Sequence, residues 1–147
     1  DVRMSIVLDD VLESLKPLAA FHEVLVHADC KPLCIYANAR QMTELLSNLL
    51  SNAIKYNKPG GEVWVTITEE DKEMIIRVRD NGMGIPKESL GRIFERFYRV
   101  DKGRSRKQGG TGLGLSIVKH IAGYYHGTIT VQSELEAGTE FTVKIPI

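Results

Sequence analysis

Apolar residues recur at helical spacing in some stretches of this chain and alternate with polar ones in others. Between 6 and 21, Ile6, Val7, Leu8, Val11, Leu12, Leu15 and Leu18 mark one face of a helix. Pro17 is expected to kink or end that helix. Residues 23–28 alternate as a strand, and 33–36 read as its short partner. Asn38 is placed as an N-cap. A long helix then runs to Tyr56, with Met42, Leu45, Leu46, Leu49, Leu50, Ala53 and Ile54 in one stripe, and Lys58-Pro59-Gly60-Gly61 stops it. Residues 62–68 and 74–78 form a hairpin around a turn at 69–73. Residues 113–125 make another helix, carrying Leu113, Ile117, Val118 and Ile121 in register, and 127–133 and 139–145 close the chain as strands.

That order predicts an α/β (α+β) two-layer sandwich, a mixed and mostly antiparallel sheet with its helices on one face. At 147 residues the chain is expected to be one domain with a core of its own. The interval 86–111 stands apart. It holds a short aromatic cluster, Phe94, Phe97 and Tyr98, and then the basic, apolar-free run from Lys102 to Lys107. Long irregular intervals in compact domains serve as lids, and Phe94 and Phe97 are expected to anchor this one on the core. The formal net charge is zero, which argues against a nucleic-acid binder. No apolar run approaches the roughly 18 residues of a membrane span, and no signal peptide is visible. The chain opens on Asp1 rather than Met, so it is expected to be part of a longer protein. Cys30 and Cys34, with His22 and His27 nearby, match a zinc site poorly and read as reduced, packed thiols.

Two glycine-rich turns carry the chemistry. Asp80-Asn81-Gly82-Met83-Gly84-Ile85 leaves a strand, and Gly109-Gly110-Thr111-Gly112-Leu113-Gly114-Leu115 enters a helix. Glycine lets backbone approach a ligand, and a helix N-terminus offers free N–H groups to anions. An Asp carboxylate can accept a hydrogen bond from an amino group such as that of adenine. The pair suggests a nucleotide site with the base at the first turn and phosphates at the second. Neither run is a Walker loop or the dinucleotide fingerprint. On the long helix, Asn48, Asn52, Lys55 and Tyr56 fall at i, i+4, i+7 and i+8 and share a face beside the apolar stripe. A merely solvated helix flank and a plain hairpin exit remain the bland alternatives for these two segments.

With these motifs together, the chain resembles the catalytic and ATP-binding domain of sensor histidine kinases, which shares a superfamily with gyrase, the heat-shock chaperone ATPases and the mismatch-repair ATPase. Residues 44–56 resemble the asparagine box, 80–85 the first glycine box and 94–99 the phenylalanine box. Residues 110–115 resemble the second glycine box, and Gly138-Thr139-Glu140-Phe141 the closing strand. The resemblance implies the Bergerat ATP-binding fold over residues 1–147, with ATP and Mg²⁺ as cofactors. It implies that Asn52 ligates Mg²⁺, Asn48 supports the metal shell, Lys55 meets phosphates and Tyr56 covers the adenine. Asp80 would accept from the adenine amine, and Thr139 would share a water with it. Gly82, Gly84 and Ile85 would pass the base, while Gly110, Thr111, Gly112, Leu113, Gly114 and Leu115 would cradle the triphosphate. Arg99 would contact the γ-phosphate, with Arg96 the weaker candidate.

The same resemblance implies phosphoryl transfer to a His on a separate dimerisation domain, a response regulator downstream and a cytoplasmic location. The fragment alone would be monomeric and its parent dimeric. His22-Glu23 imitates the opening of the phosphoacceptor motif but runs into a strand without the following proline, so that domain is expected outside this chain. The gyrase-like ATPases usually place Glu where Asn48 stands. Asn cannot take a proton from water, which favours transfer over hydrolysis. Three alternatives stay open: an ATP-binding regulatory module without transfer, an anti-sigma-type serine kinase, and a gyrase-like ATPase. Deleting residues 102–107 removes no apolar side chain, so the ligand-free chain should melt within a few degrees of the full-length form; a large drop in melting temperature would contradict the lid assignment.

Overall fold

A computed structural model of the chain describes residues 1–100 and 113–147. Strand β1 (Val2–Arg3) leads into helix α1 (Met4–His22), followed by β2 (Leu25–Cys30) and β3 (Cys34–Ile35). Helix α2 spans Ala39–Lys55, and the hairpin β4 (Glu62–Glu70) and β5 (Glu73–Asp80) follows. A short 3-10 turn at Lys87–Ser89 precedes helix α3 (Gly114–Tyr124) and strands β6 (Thr128–Glu134) and β7 (Gly138–Pro146). Five strands form one sheet in the order β2-β4-β5-β7-β6. Strand β2 runs parallel to β4, and every other pairing in this sheet is antiparallel. The three helices among the described residues pack on one face, with α2 in the middle touching α1, α3, β4 and β5. This is the two-layer α/β sandwich that the periodicity predicts.

Helix α2 starts where its cap directs. Asn38 is extended, and its side chain accepts from the Gln41 N–H at 3.1 Å. Its apolar stripe is sealed: Met42, Leu45, Leu46, Leu49 and Leu50 are all 0% exposed. The inner faces of β4 and β5 meet that stripe with Val63, Val65, Ile67, Met74, Ile76 and Val78. On the outer face Trp64 lies between the His27 ring, 5.7 Å away, and the Arg79 guanidinium, 4.1 Å from its centroid.

Two expectations are corrected. Helix α1 neither stops nor restarts at Pro17 but continues to His22. The proline deprives only an exposed turn of one hydrogen bond, while Leu15, Leu18 and Ala19 still pack against the core. Strand β3 does not pair with β2. It pairs with β1 through Val2↔Ile35 and Arg3↔Cys34, and β2 takes β4 instead. A parallel pairing needs a long crossover, and α2 supplies it. Strand β2 also starts two residues later than expected, because Glu23 sits left-handed as the C-cap of α1 and its N–H bonds back to Ala19 and Ala20. Among the described residues no helix is long and apolar enough to cross a membrane. Cys30 and Cys34 are both free thiols, but only Cys30 packs against the core; Cys34, on the short strand β3, is exposed rather than packed.

Gly138, at φ 123°, starts β7 with its Cα packed against β5: a Cβ there would lie 2.0 Å from the Asp80 carbonyl oxygen. Gly138→Ala should therefore cost about 3 kcal/mol or more, read from urea unfolding. Gly91→Ala, which has open space around it, should stay within about 0.5 kcal/mol and serves as the control.

Candidate functional site

The site assembles where three elements end together: the C-terminus of α2, the exit of β5 and the start of β7. Asp80 is the last residue of β5, lies opposite Thr139 of β7 and Val63 of β4, and is 9% exposed. Its Oδ1 accepts from the Gly82 N–H at 2.9 Å. Burial pushes this carboxyl up to about 6 from its ordinary 3.8, with the N–H groups of Gly82 and Thr139 pulling it part of the way back. A buried carboxylate with a raised pKa and no cation beside it among the described residues is a group prepared for a donor from outside.

The first glycine turn is held close on two sides. A Cβ on Gly82 would lie 2.7 Å from the Tyr56 carbonyl oxygen, so the turn rides over the end of α2. Gly84 has φ 75°, and a Cβ there would lie 2.1 Å from the Glu134 carbonyl oxygen, so the turn also meets the end of β6. The next residue, Ile85, donates its N–H to Ser133 Oγ at 2.8 Å, and Met83 accepts from the Glu136 N–H at 2.7 Å. Any side chain at Gly82 or Gly84 would push the two walls apart. That is a cradle shaped by backbone.

The second wall is the polar face of α2. Asn48 donates its amide N–H to the Glu44 carbonyl at 2.8 Å, and a Cβ on Gly114 would lie 3.1 Å from Asn48 Oδ1. The N-terminus of α3, with Leu113 as its cap and the half-buried Leu115 packed on the core, therefore opens beside Asn48. Asn52 and Lys55 lie half-buried one and two turns further along α2, and Tyr56 caps the helix. Asn48, Asn52, Tyr56, Asp80, Gly82 and Thr139 thus frame one corner of the molecule. Lys102 to Lys107, and Gly109, Gly110, Thr111 and Gly112, lie outside the described residues.

The phenylalanine segment divides. Phe94 is half-buried and meets Phe141 edge-on, centroids 6.2 Å apart, so it anchors its segment on the core. Phe97 does not anchor: it is 63% exposed at φ 67°. Tyr98 takes that role, its hydroxyl donating to the buried Ser89 at 2.8 Å while Arg92 covers its ring. Arg99 is half-buried, and among the described residues no hydrogen bond or ion pair joins it to the asparagine face. Arg96 lies over the Phe97 ring.

Two contributors escaped the sequence reading. Asn57 is 6% exposed, donates to the Glu62 carbonyl at 3.0 Å, and accepts from the Lys58 N–H at 2.8 Å. It locks the turn against which Gly82 packs, yet in sequence it reads as ordinary helix-stop chemistry. Ser133 has a strand position and no local motif. Only its register opposite Thr139 reveals it.

Among the described residues no group of three His, Cys, Asp or Glu could hold a metal ion by itself. Mg²⁺ commonly takes one or two protein oxygens and borrows the rest from phosphates and water, and the amide of Asn52 offers one such oxygen.

The family model described as histidine kinase-, DNA gyrase B-, and HSP90-like ATPase matches residues 37–147. Sensor histidine kinase RppB of Synechocystis sp. is 42% identical over 142 residues, which cover 95% of this chain and 31% of RppB. Sensor protein SrrB of Staphylococcus aureus is 44% identical over 117 residues, 80% of this chain and 20% of SrrB. The chain thus spans less than a third of the length of these curated relatives. The solved structure of mycobacterial sensor histidine kinase MprB superposes with a TM-score of 0.87 at 28% identity, covering 99% of this chain and 96% of that one. Full-length ShkA in complex with AMPPNP superposes with a TM-score of 0.84 at 30% identity, covering 99% of this chain and 30% of ShkA. The chain therefore belongs to the histidine kinase-, DNA gyrase B-, and HSP90-like ATPase family, and within it is similar to the catalytic domains of sensor histidine kinases.

Proposed function

We propose that this domain binds Mg-ATP and transfers the γ-phosphoryl group to a histidine on a separate dimerisation domain of a longer sensor kinase. The phosphorylated histidine would then serve a response regulator in two-component signalling. The observation that carries the reading is the buried Asp80 carboxylate, set at the end of β5 in a backbone cradle opposite the asparagine face. The AMPPNP complex of the similar ShkA supports it.

In this reading Asp80 accepts the adenine amine, Gly82, Gly84 and Ile85 pass the base, and Tyr56 covers it. Lys55, Arg99 and the amides of Gly110, Thr111, Gly112, Leu113, Gly114 and Leu115 receive phosphate oxygens. Asn52 would hold Mg²⁺, with Asn48 supporting its shell, and the ion would supply charge neutralisation at the phosphates. A neutral imidazole nitrogen attacks phosphorus in line, the bond to the ADP oxygen breaks, and the phosphoryl group leaves on nitrogen. The domain's work is positioning and charge neutralisation. Asn48, whose amide cannot take a proton, offers water no base. Residues 86–111 serve as the lid, and the phosphoacceptor domain belongs to another part of the parent.

Incubation with γ-³²P-ATP and Mg²⁺, with the parent's His-bearing segment added, should put acid-labile, base-stable label on that segment. Nucleotide binding without label on it would favour the regulatory module, and acid-stable label on a partner serine the anti-sigma-type kinase.

Asp80 also predicts a pH dependence. Its folded pKa lies above its ordinary value, so the folded chain holds a proton that the unfolded chain releases. Ligand-free stability should be greatest below about pH 4 as far as this group is concerned, and be lost as pH rises through about 6, in total about 3 kcal/mol. Asp80→Asn should remove most of that slope in urea unfolding at pH 4.5 and 7.5, and should weaken ATP more than GTP. An unchanged slope, or equal loss for both nucleotides, would count against the carboxylate's role.

A further inference from the structure

Asp80, Thr139 and Ser133 lie in a row across the inner face of the sheet, on β5, β7 and β6, as the register pairs Asp80↔Thr139 and Ser133↔Thr139. Side chains directly opposite on one face stand within contact distance. Asp80 and Thr139 belong to the site described above. Ser133 stands behind them, and its hydroxyl is the junction of that corner.

A serine hydroxyl has one proton to give and two lone pairs to offer. Three partners surround Ser133 Oγ: the Ile85 N–H at 2.8 Å, the Gly138 carbonyl oxygen at 3.0 Å and the Thr139 hydroxyl at 2.8 Å. The Ile85 N–H can only donate, so it takes one lone pair. The Gly138 carbonyl can only accept, so it takes the proton. One lone pair remains, and the Thr139 hydroxyl must donate to it. The reverse assignment would set two oxygens lone pair to lone pair at 3.0 Å and leave a Ser133 acceptor idle. With its proton turned toward Ser133, Thr139 Oγ1 keeps only lone pairs for the Asp80 side.

We infer that Ser133 is a specificity-determining positioning residue: it holds the Thr139 hydroxyl as a pure acceptor beside Asp80, so that this rim accepts an amino group and repels a carbonyl. The inference rests on the adenine-nucleotide reading of the site. It explains how one carboxylate could be reinforced in telling a 6-amino purine from a 6-oxo purine. Polar groups left facing the wrong partner discriminate more strongly than apolar contacts do. Without Ser133 the Thr139 hydroxyl is free to rotate and donate to a carbonyl.

The test compares ATP with inosine triphosphate, which differs at the 6-position in carrying oxygen in place of the amine. Dissociation constants of both, with Mg²⁺, are measured by calorimetry on the 147-residue chain, its S133A and S133T variants, and T139V. The expected result is that S133A lowers the ATP-over-ITP preference about tenfold and S133T restores it. A preference unchanged in S133A, or one that S133T fails to restore, overturns the inference, as does equal weakening of both nucleotides. Should S133A fail to fold in a thermal melt, T139V decides: ATP affinity should fall while ITP affinity holds, and parallel loss of both overturns the inference. A wild-type chain that binds neither nucleotide overturns the ATP reading together with it, whereas wild-type ATP binding with an indifferent S133A overturns the inference alone.

Discussion

Helix α2 carries two stripes that cannot exchange places, and the rest of the molecule is arranged around that fact. Its apolar stripe is wholly withdrawn from water by the sheet below and by α1 and α3 on its flanks. Each such side chain contributes roughly 1.5–3 kcal/mol on burial, so the helix has one rotation about its axis that the fold can accept. Asn48, Asn52 and Lys55 are then forced to the margin of the core, half-buried and side by side. These polar side chains are thus placed by the burial of leucines. A rotation of α2 by one residue would bury amides without partners, which is costly, and expose leucines.

The opposite wall depends on backbone rather than side chains. Gly82, Gly84 and Gly138 allow β5, β6, β7 and the end of α2 to approach within distances that a Cβ would forbid. Asp80 is trapped at that meeting point. Its carboxyl is largely withdrawn from water at a cost that ligand-free folding bears, partly offset by the N–H groups of Gly82 and Thr139. A donor arriving from outside would relieve that cost, which is how a strained polar group comes to mark a recognition site. Ser133 extends the same logic one strand further by ordering the hydroxyl beside it.

Local signals were sufficient wherever one residue's chemistry decides its own surroundings. The Asn38 cap, the α2 stripe, the hairpin of β4 and β5, and the Asp80–Ile85 turn each follow from neighbours within a few positions. Signals failed where a distant partner decides. Pro17 should end a helix by propensity, but packing of Leu15 and Leu18 on the core outweighs one missing hydrogen bond at an exposed turn. Residues 33–36 looked like the partner of β2 because they were next in sequence; β4 won by offering a longer register, with α2 as the crossover. Phe97 and Tyr98 could not be ranked as anchors by hydrophobicity, since the choice falls to a hydroxyl that finds Ser89.

The sequence by itself determined the helices, the hairpin, the two-layer class, and the residue types that could meet a nucleotide. It did so because periodicity, capping and glycine turns are short-range physics, and because the family boxes are contiguous in the chain. Only the tertiary structure decided which strands pair, that Asn48 faces the start of α3, that Asn57 locks the turn under Gly82, and that Ser133 stands in line with Thr139 and Asp80. Those are contacts between residues dozens of positions apart. Their energies exist only once the sheet has closed, and no local pattern of hydrophobic and polar residues encodes which of them forms.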